Sequence, residues 1–304
     1  MKDDVPCQSF VVVLTVAKYM LIFISCRCIM NPSKRPNDQI SNGGASAMIF
    51  ITGDTHGRFL RFNTSNCPEQ KQLSKDDFVI ICGDFGGIWQ QKAGKEEAYW
   101  LSWLQEKQFS LLFVDGNHEN FTRLNSAEFE TVDFCGGKAQ KIRDGIYHLL
   151  RGQVYEIQGK RFFTFGGASS HDIVDGILDP SEFATDEAFH AEYRKWNRQG
   201  KQFRVKGVSW WPEELPSEAE MQAGVRALDA VDWEVDYVIT HCLPHDVAAV
   251  LSGCTFYPDR LTLYFNDLLH RGLRFEHWYC GHYHTDRTVM DKYHVLYDRI
   301  EQLL

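Results

Sequence analysis

The sequence predicts an α/β (α+β) domain built on short parallel strands, and three observations carry that prediction. Five apolar runs, Met48–Thr52, Phe78–Cys82, Leu111–Val114, Tyr237–Thr240 and His277–Cys280, have strand length, and each runs into glycine, histidine or a carboxylate. Between the second and third, KEEAYWLSWLQEK at 95–107 sets Ala98, Leu101 and Leu104 at helical spacing with Trp100 and Trp103 beside them, the amphipathic crossover that parallel strands need. From Ile146 to Phe165 the runs IYHLL, QVYEI and RFFTF are divided by Gly152 and Gly159, which suggests a meander forming or extending a second sheet.

The first run sets the pattern for the rest. MIFIT at 48–52 reads as a buried strand that delivers Asp54 and His56 at its carboxyl end, with Gly53 and Gly57 able to turn the chain sharply there. Alone, a D-x-H is commonly a turn aspartate beside a surface histidine, but the arrangement repeats. The second strand ends in Gly83-Asp84, and the third runs through Asp115 into Gly116-Asn117-His118-Glu119. The fourth ends in His241 and the fifth in Gly281-His282-Tyr283-His284. Ligand sites in open α/β sheets lie outside the carboxyl ends of strands, so all five groups are expected on one edge.

The remaining segments are less specific. Asn63–Pro68 is a loop, and about 166–235 reads as a charged, mostly helical insertion. Within it Thr185–Trp196 and Ser217–Asp229 are expected helices, the second opened by a capping-box spacing from Ser217 to Glu220. The loop Val208–Pro212 carries two tryptophans, at least one expected as a core anchor. Pro258–Arg271 reads as a helix stopped at Gly272, and Thr288–Tyr297 as two short closing strands.

At 304 residues the chain is long enough for one large catalytic domain with insertions, expected over 48–304. A net charge of −9 and a pI near 5.7 argue against extended nucleic acid and anionic membrane surfaces, which need a basic face. A small phosphorylated ligand stays open, because metal ions can supply positive charge locally. Nine cysteines without a CxxC pair fit buried free thiols in a reducing, cytoplasmic setting. Phe10–Met30 is long enough to span a bilayer, but Lys18 lies mid-run, where it costs about 2.5–3.5 kcal/mol. Asn31–Ala47 is a polar Pro/Gly/Ser linker. Residues 1–47 are therefore expected to be dispensable, with a membrane anchor through residues 10–30 as the alternative.

Taken together, GDTHG at 53–57, GD at 83–84, GNHE at 116–119, the lone His241 and GHYH at 281–284 resemble, in order, the five signature blocks of the calcineurin-like metallophosphoesterases. The resemblance implies a four-layer fold, two packed mixed β-sheets flanked by helices. It implies a hydrolase of phosphomonoesters or phosphodiesters that activates water with two divalent ions of the Mn, Fe, Zn or Co class. It also implies roles: Asp54, His56 and His284 hold one ion, Asn117, His241 and His282 the other, and Asp84 bridges them. His118 protonates the leaving alkoxide and Glu119 orients the site. The donor types agree, since carboxylate, imidazole and amide oxygen suit such ions and no thiolate stands among them.

One departure is plain. Phe85-Gly86-Gly87 stands where the protein serine/threonine phosphatases of that superfamily carry an Asp-Arg-Gly whose arginine grips phosphate. Arg58 is expected to be a surface residue. His171, Asp172 and His245 are candidates for the mouth of the site, and His148, His190, His277 and His294 are expected to be structural or on the surface. The alternative to an enzyme is a non-catalytic metal-binding scaffold for protein partners. Such scaffolds should lose ligands or the acid, whereas all seven candidate ligands and His118 stand here.

Overall fold

Short β-branched and aromatic runs separated by glycine dictate many brief strands, and the computed structural model shows them across the residues it describes, 47–254 and 257–304. The expectations for Phe10–Met30 and for the linker up to residue 46 lie outside the described residues. In order, the elements are β1 (Ile49–Thr52), β2 (Phe78–Ile81), α1 (Lys95–Gln105), β3 (Ser110–Phe113), α2 (Phe121–Leu124), β4 (Glu130–Phe134), β5 (Gly137–Arg143), β6 (Ile146–Leu149), β7 (Gln153–Ile157) and β8 (Lys160–Phe165). There follow β9 (Ile177–Leu178), α3 (Asp186–Arg198), β10 (Arg204–Val205), α4 (Glu218–Asp229), β11 (Tyr237–Thr240), α5 (His245–Ser252), α6 (Arg260–His270), β12 (His277–Cys280), β13 (Arg287–Val289), β14 (Tyr293–Val295) and β15 (Ile300–Gln302).

The strands form two mixed sheets, one ordered β15-β1-β2-β3-β6-β5-β4 and the other β13-β14-β12-β11-β8-β7. In the first, β1, β2, β3 and β6 run parallel; in the second, β8, β11, β12 and β14 do. All five ligand-bearing strands lie within these parallel cores. Side chains alternate across each strand, and the burial follows. Ile49, Ile51, Ile80, Cys82 and Leu112 of the first sheet share one core with Phe162, Tyr237, Ile239 and Tyr279 of the second. On the outer face of the first sheet, Phe50, Val79, Ile81 and Phe113 pack with Leu101 and Leu104 of α1. On the outer face of the second, Phe163, Phe165, Val238 and Trp278 pack with Val225 and Leu228 of α4 and Leu261, Phe265 and Leu268 of α6. The order helix, sheet, sheet, helix is the four-layer arrangement the sequence led us to expect.

Three features differ from the sequence reading. The run 146–165 is not one meander: β6 joins the first sheet beside β3, whereas β7 and β8 open the second, so the chain changes sheets at Gly152. The hairpin β4–β5, whose strands carry mostly polar or half-buried residues, was invisible to an apolar-run criterion. Strand β15 returns the carboxyl terminus to pair antiparallel with β1. The insertion carries α3 and α4, the latter with the expected capping box at Ser217 and Glu220, together with a two-stranded sheet of β9 and β10. Trp211 is its buried anchor, 3% exposed, with Nε1 donating to Thr122 Oγ1 at 2.8 Å. Among the described residues no helix is long and apolar enough to cross a membrane.

Candidate metal centre

The loops leaving β1, β2 and β3 meet those leaving β11 and β12 across the two sheets. The first two loops are laced together, with the amides of Thr55 and His56 donating to Asp84 O at 3.2 and 2.7 Å. The last two are joined by Gly281 N donating to His241 O at 3.0 Å. Four of the seven expected ligands, His56, Asp84, His282 and His284, take left-handed backbone with φ of 45°, 47°, 68° and 47°. For non-glycine residues such strain costs about 1–3 kcal/mol each and persists only where surrounding contacts enforce it. It turns each side chain back towards a common centre.

Glycines make that convergence possible. A Cβ on Gly116 would lie 2.0 Å from Asp84 Oδ1, and one on Gly281 would lie 2.0 Å from Asp54 Oδ1. Each carboxylate fills the space that a side chain on the neighbouring loop would need, which is why G-N-H and G-H-Y-H begin with glycine.

The donor atoms fall into two overlapping sets. In the first, Asp54 Oδ2 lies 3.1 Å from His284 Nε2 and 3.6 Å from His56 Nε2, and the two imidazole nitrogens are 3.1 Å apart. In the second, Asn117 Oδ1 lies 3.3 Å from His241 Nε2 and 3.1 Å from His282 Nδ1. Asp84 reaches both: its Oδ1 is 3.4 Å from His241 Nε2 and its Oδ2 is 3.7 Å from His56 Nε2. Asp54, His56 and His284 form one compact group able to hold a metal ion, and Asp54, Asp84 and His241 form another. His118 joins a third such group with His56 and Asp84, so its ring stands at the edge of the ligand field.

Backbone contacts orient these donors. His241 Nδ1 donates to Cys82 O at 2.7 Å, which commits Nδ1 to the backbone and turns Nε2 towards Asp84 and Asn117. The amides of His118 and His282 donate to Asp84 Oδ1 and Asp54 Oδ1 at 2.8 and 2.9 Å, sparing each carboxylate its other oxygen. Glu119 Oε1 accepts from Phe85 N at 2.7 Å and pins the Asp84 loop.

Opposite charges are held close together in this cluster. Burial opposes charge on Asp84, but His241 holds its pKa down at about 2. Burial likewise opposes charge on His241, yet Asp84 and Asp54 push it up to about 10. Burial lowers His282 to about 3, leaving a neutral imidazole with a free lone pair. Asp54 Oδ2 is buried, lies at contact distance from two imidazoles and accepts no hydrogen bond. A buried carboxylate oxygen facing ring nitrogens in this way fits a shared cation. The donor set and the orphaned oxygen thus suit divalent metal binding.

A family description of calcineurin-like phosphoesterases matches residues 47–286, from just before β1 to just past His284. The chain belongs to the calcineurin-like phosphoesterases. No curated protein matches it.

In this phosphoesterase the insertion supplies residues that sequence reasoning missed. Arg204 on β10 donates to Asp172 through Nε and Nη2 at 2.7 and 2.6 Å, and its Nη2 lies 3.1 Å from His118 Nε2. Burial, more than Arg204, lowers the His118 pKa to about 4, while Asp84 opposes both. Asn117 Nδ2 donates to Ser170 Oγ at 3.3 Å, and Ser170 in turn bonds both oxygens of Glu214, which is 2% exposed. That chain points the amide oxygen of Asn117 at His241 and His282. No signature spacing marks Ser170, Arg204 or Glu214. The expected mouth residues divide: His171 stacks edge-on to His282 with ring centres 5.7 Å apart, and Asp172 pairs with Arg204. Arg58 is exposed, whereas Arg61 ties block one down through Asp54 O and Thr52 Oγ1. His148 is structural, bonded to Gln140 and to Asp115, which Arg151 also holds.

Proposed function

We propose that the protein hydrolyses a small phosphomonoester or phosphodiester at a two-metal centre. The observation that carries the proposal is the reach of Asp84, whose two oxygens address one histidine of each ligand set. Asp54, His56 and His284 would hold one ion, Asn117, His241 and His282 the other, and Asp84 both. Two divalent ions of the Mn, Fe, Zn or Co class held there would supply a water of lowered pKa and offset charge on a phosphoryl oxygen.

The chain's own residues then divide the remaining work. Asp84 and Asp54 keep the site anionic, and the bonds from Cys82 O, Ser170 Oγ and the His118 and His282 amides hold the donors in line. His118 delivers a proton to the leaving oxygen. Burial and Arg204 disfavour charge on its ring, and the Asp84 carboxylate favours it. Arg204 brings a guanidinium within 3.1 Å of His118 Nε2, in a chain that carries Phe85-Gly86-Gly87 after Asp84. Buried thiols at Cys82, Cys242 and Cys280 suit a reducing, cytoplasmic compartment. The working unit is residues 48–304.

A metal-by-substrate panel tests the reading, comparing an aryl phosphate monoester with a bis-aryl diester under Mn, Zn, Fe, Ni and Mg. Metal-dependent turnover of at least one ester supports it. Folded protein that binds two metal equivalents and turns over neither would favour the scaffold alternative.

A further inference from the structure

Beside the ligand cluster, on the side of His56 and His118, a cavity of about 320 Å³ opens between the loop after β2 and the start of α1. Its walls are the rings of Trp89, Trp100 and Phe59, its floor includes the side-chain-free backbone of Gly86 and Gly87, and His118 forms the border with the metal centre. The Trp89 ring lies 6.0 Å from that of His118, and Trp100 meets Phe59 edge-on at 5.9 Å. The insertion holds this wall, because Trp211 packs at 5.9 Å against Trp89 and Gly207 O accepts from Gln91 Nε2 at 2.6 Å.

Two carboxylates also face the cavity. Glu97 is matched by Arg123 behind it, at 2.6 Å, whereas Glu96 is exposed at the rim. None of the described residues lining the space is lysine or arginine. A leaving group seated here meets flat apolar faces, the exposed carboxylate of Glu96 and no lysine or arginine among the lining residues.

We infer that this cavity receives the leaving group, and that it selects an aromatic alcohol or phenol of one or two rings, neutral or cationic and without an anionic substituent. The inference rests on the hydrolase reading and narrows its substrate class. His118 borders both the cavity and the metal centre, so an ester whose phosphate sits on the ions would place its alcohol oxygen beside His118 and its ring beyond, between the aromatic walls. Ring faces reward a flat partner by about 2- to 10-fold in affinity beyond the area buried, which an aliphatic alcohol of equal size forgoes. A cationic edge gains from the indoles and from Glu96, and an anionic one is repelled.

Binding of the alcohol alone separates this inference from the catalytic one. The probes are tyramine, its anionic relative 4-hydroxyphenylacetate, its saturated relative 4-(2-aminoethyl)cyclohexanol, and adenosine as a two-ring neutral case. They are titrated into the zinc-loaded full chain while the tryptophan indole N–H resonances are followed by NMR, with Trp100→Phe and Trp89→Phe assigning the two signals. Tyramine should shift both indoles and bind about 3- to 10-fold tighter than either relative, a window set by one stacked ring or one partly screened charge. Trp100→Ala should weaken it about 5-fold and Trp100→Phe less than 2-fold, as expected for a lost and a retained ring face. Glu96→Gln should bring tyramine and 4-hydroxyphenylacetate within about 2-fold, since it removes the charge that separates them. Adenosine shifting the same indoles would extend the class to nucleosides; its failure to do so would restrict the class to single rings. Equal binding of the saturated or anionic relative, or no shift at either indole with millimolar tyramine, overturns the inference even if esters are hydrolysed. Lack of turnover with intact tyramine binding would overturn the hydrolase reading instead.

Discussion

Gly116 carries no ligand atom, yet replacing it with alanine should empty the metal centre. The new Cβ would stand 2.0 Å from Asp84 Oδ1 and 2.4 Å from Asp84 N, against a floor near 3.0 Å for real contacts. The carboxylate oxygen must therefore retreat by about 1 Å, and the backbone amide blocks the alternative of moving the loop as a whole. Metal–oxygen bonds of about 2.0–2.2 Å leave no slack for such a shift. Because Asp84 Oδ1 faces His241 and Oδ2 faces His56, both ions should lose a ligand at once. Loss of an outer partner that merely orients a ligand typically weakens metal binding 10- to 100-fold, so displacement of a shared ligand should cost at least about 100-fold, or about 2.7 kcal/mol. Overpacking should cost a further 1–3 kcal/mol, roughly, in the metal-free protein. Elemental analysis after dialysis against buffered metal, with thermal melts of both forms, measures these effects separately. A Gly116→Ala protein that keeps two equivalents at parental affinity would refute the account of Gly116 and weaken the bridging role of Asp84.

Four further outcomes follow from the same geometry. Asp84→Ala should lose more metal than Asp54→Ala or His241→Ala, each of which should mainly empty one site; retention of two equivalents in Asp84→Ala would exclude bridging. His118→Ala should keep its metal but cut turnover of alkyl esters by about 10²–10⁴-fold and nitrophenyl esters far less, since a nitrophenolate leaves without a proton; equal losses with falling metal content would mean that His118 only steadies its loop. Burial raises Glu214 to about 8 against Ser170's hydrogen bonds, so the neutral acid stabilises the fold fully below about pH 4.5, and that contribution declines by about 1.4 kcal/mol per pH unit up to about pH 8. Glu214→Gln should remove the decline, widening its melting-temperature advantage from pH 5 to pH 8, and a pH-independent difference would count against it. A protein beginning at Met48 should melt and turn over like the full chain, because the freed amino group can still donate to Asp77 Oδ1, now reached by Met48 N at 2.6 Å; aggregation or lost activity would assign residues 1–47 a structural role.

Strand, turn and ligand were legible in the sequence wherever chemistry and local structure shared a short window. MIFITGDTHG announces a buried strand, a sharp turn and two donors within ten residues, and its repetition in five places pointed to one centre. Periodicity likewise disclosed α1, and cap chemistry disclosed the start of α4. Other features arise from contacts between distant segments, for which a local pattern holds no signal. The change of sheet at Gly152 depends on which strand edge is free when β7 arrives, and β15 finds β1 across some 250 residues. Left-handed backbone at Asp84 and His282, a conformation uncommon outside glycine, is held by contacts with opposing loops. Arg204, Ser170 and Glu214 are ordinary residues in an unremarkable insertion, and they reach the centre only because β9, β10 and the turn before α4 fold back over His118 and Asn117. The sequence by itself determined which atoms could bind metal, because donor chemistry belongs to residue type. Which of them stand within reach of one another, and what packs around them, was decided by tertiary structure, because distance and burial belong to pairs of segments far apart along the chain.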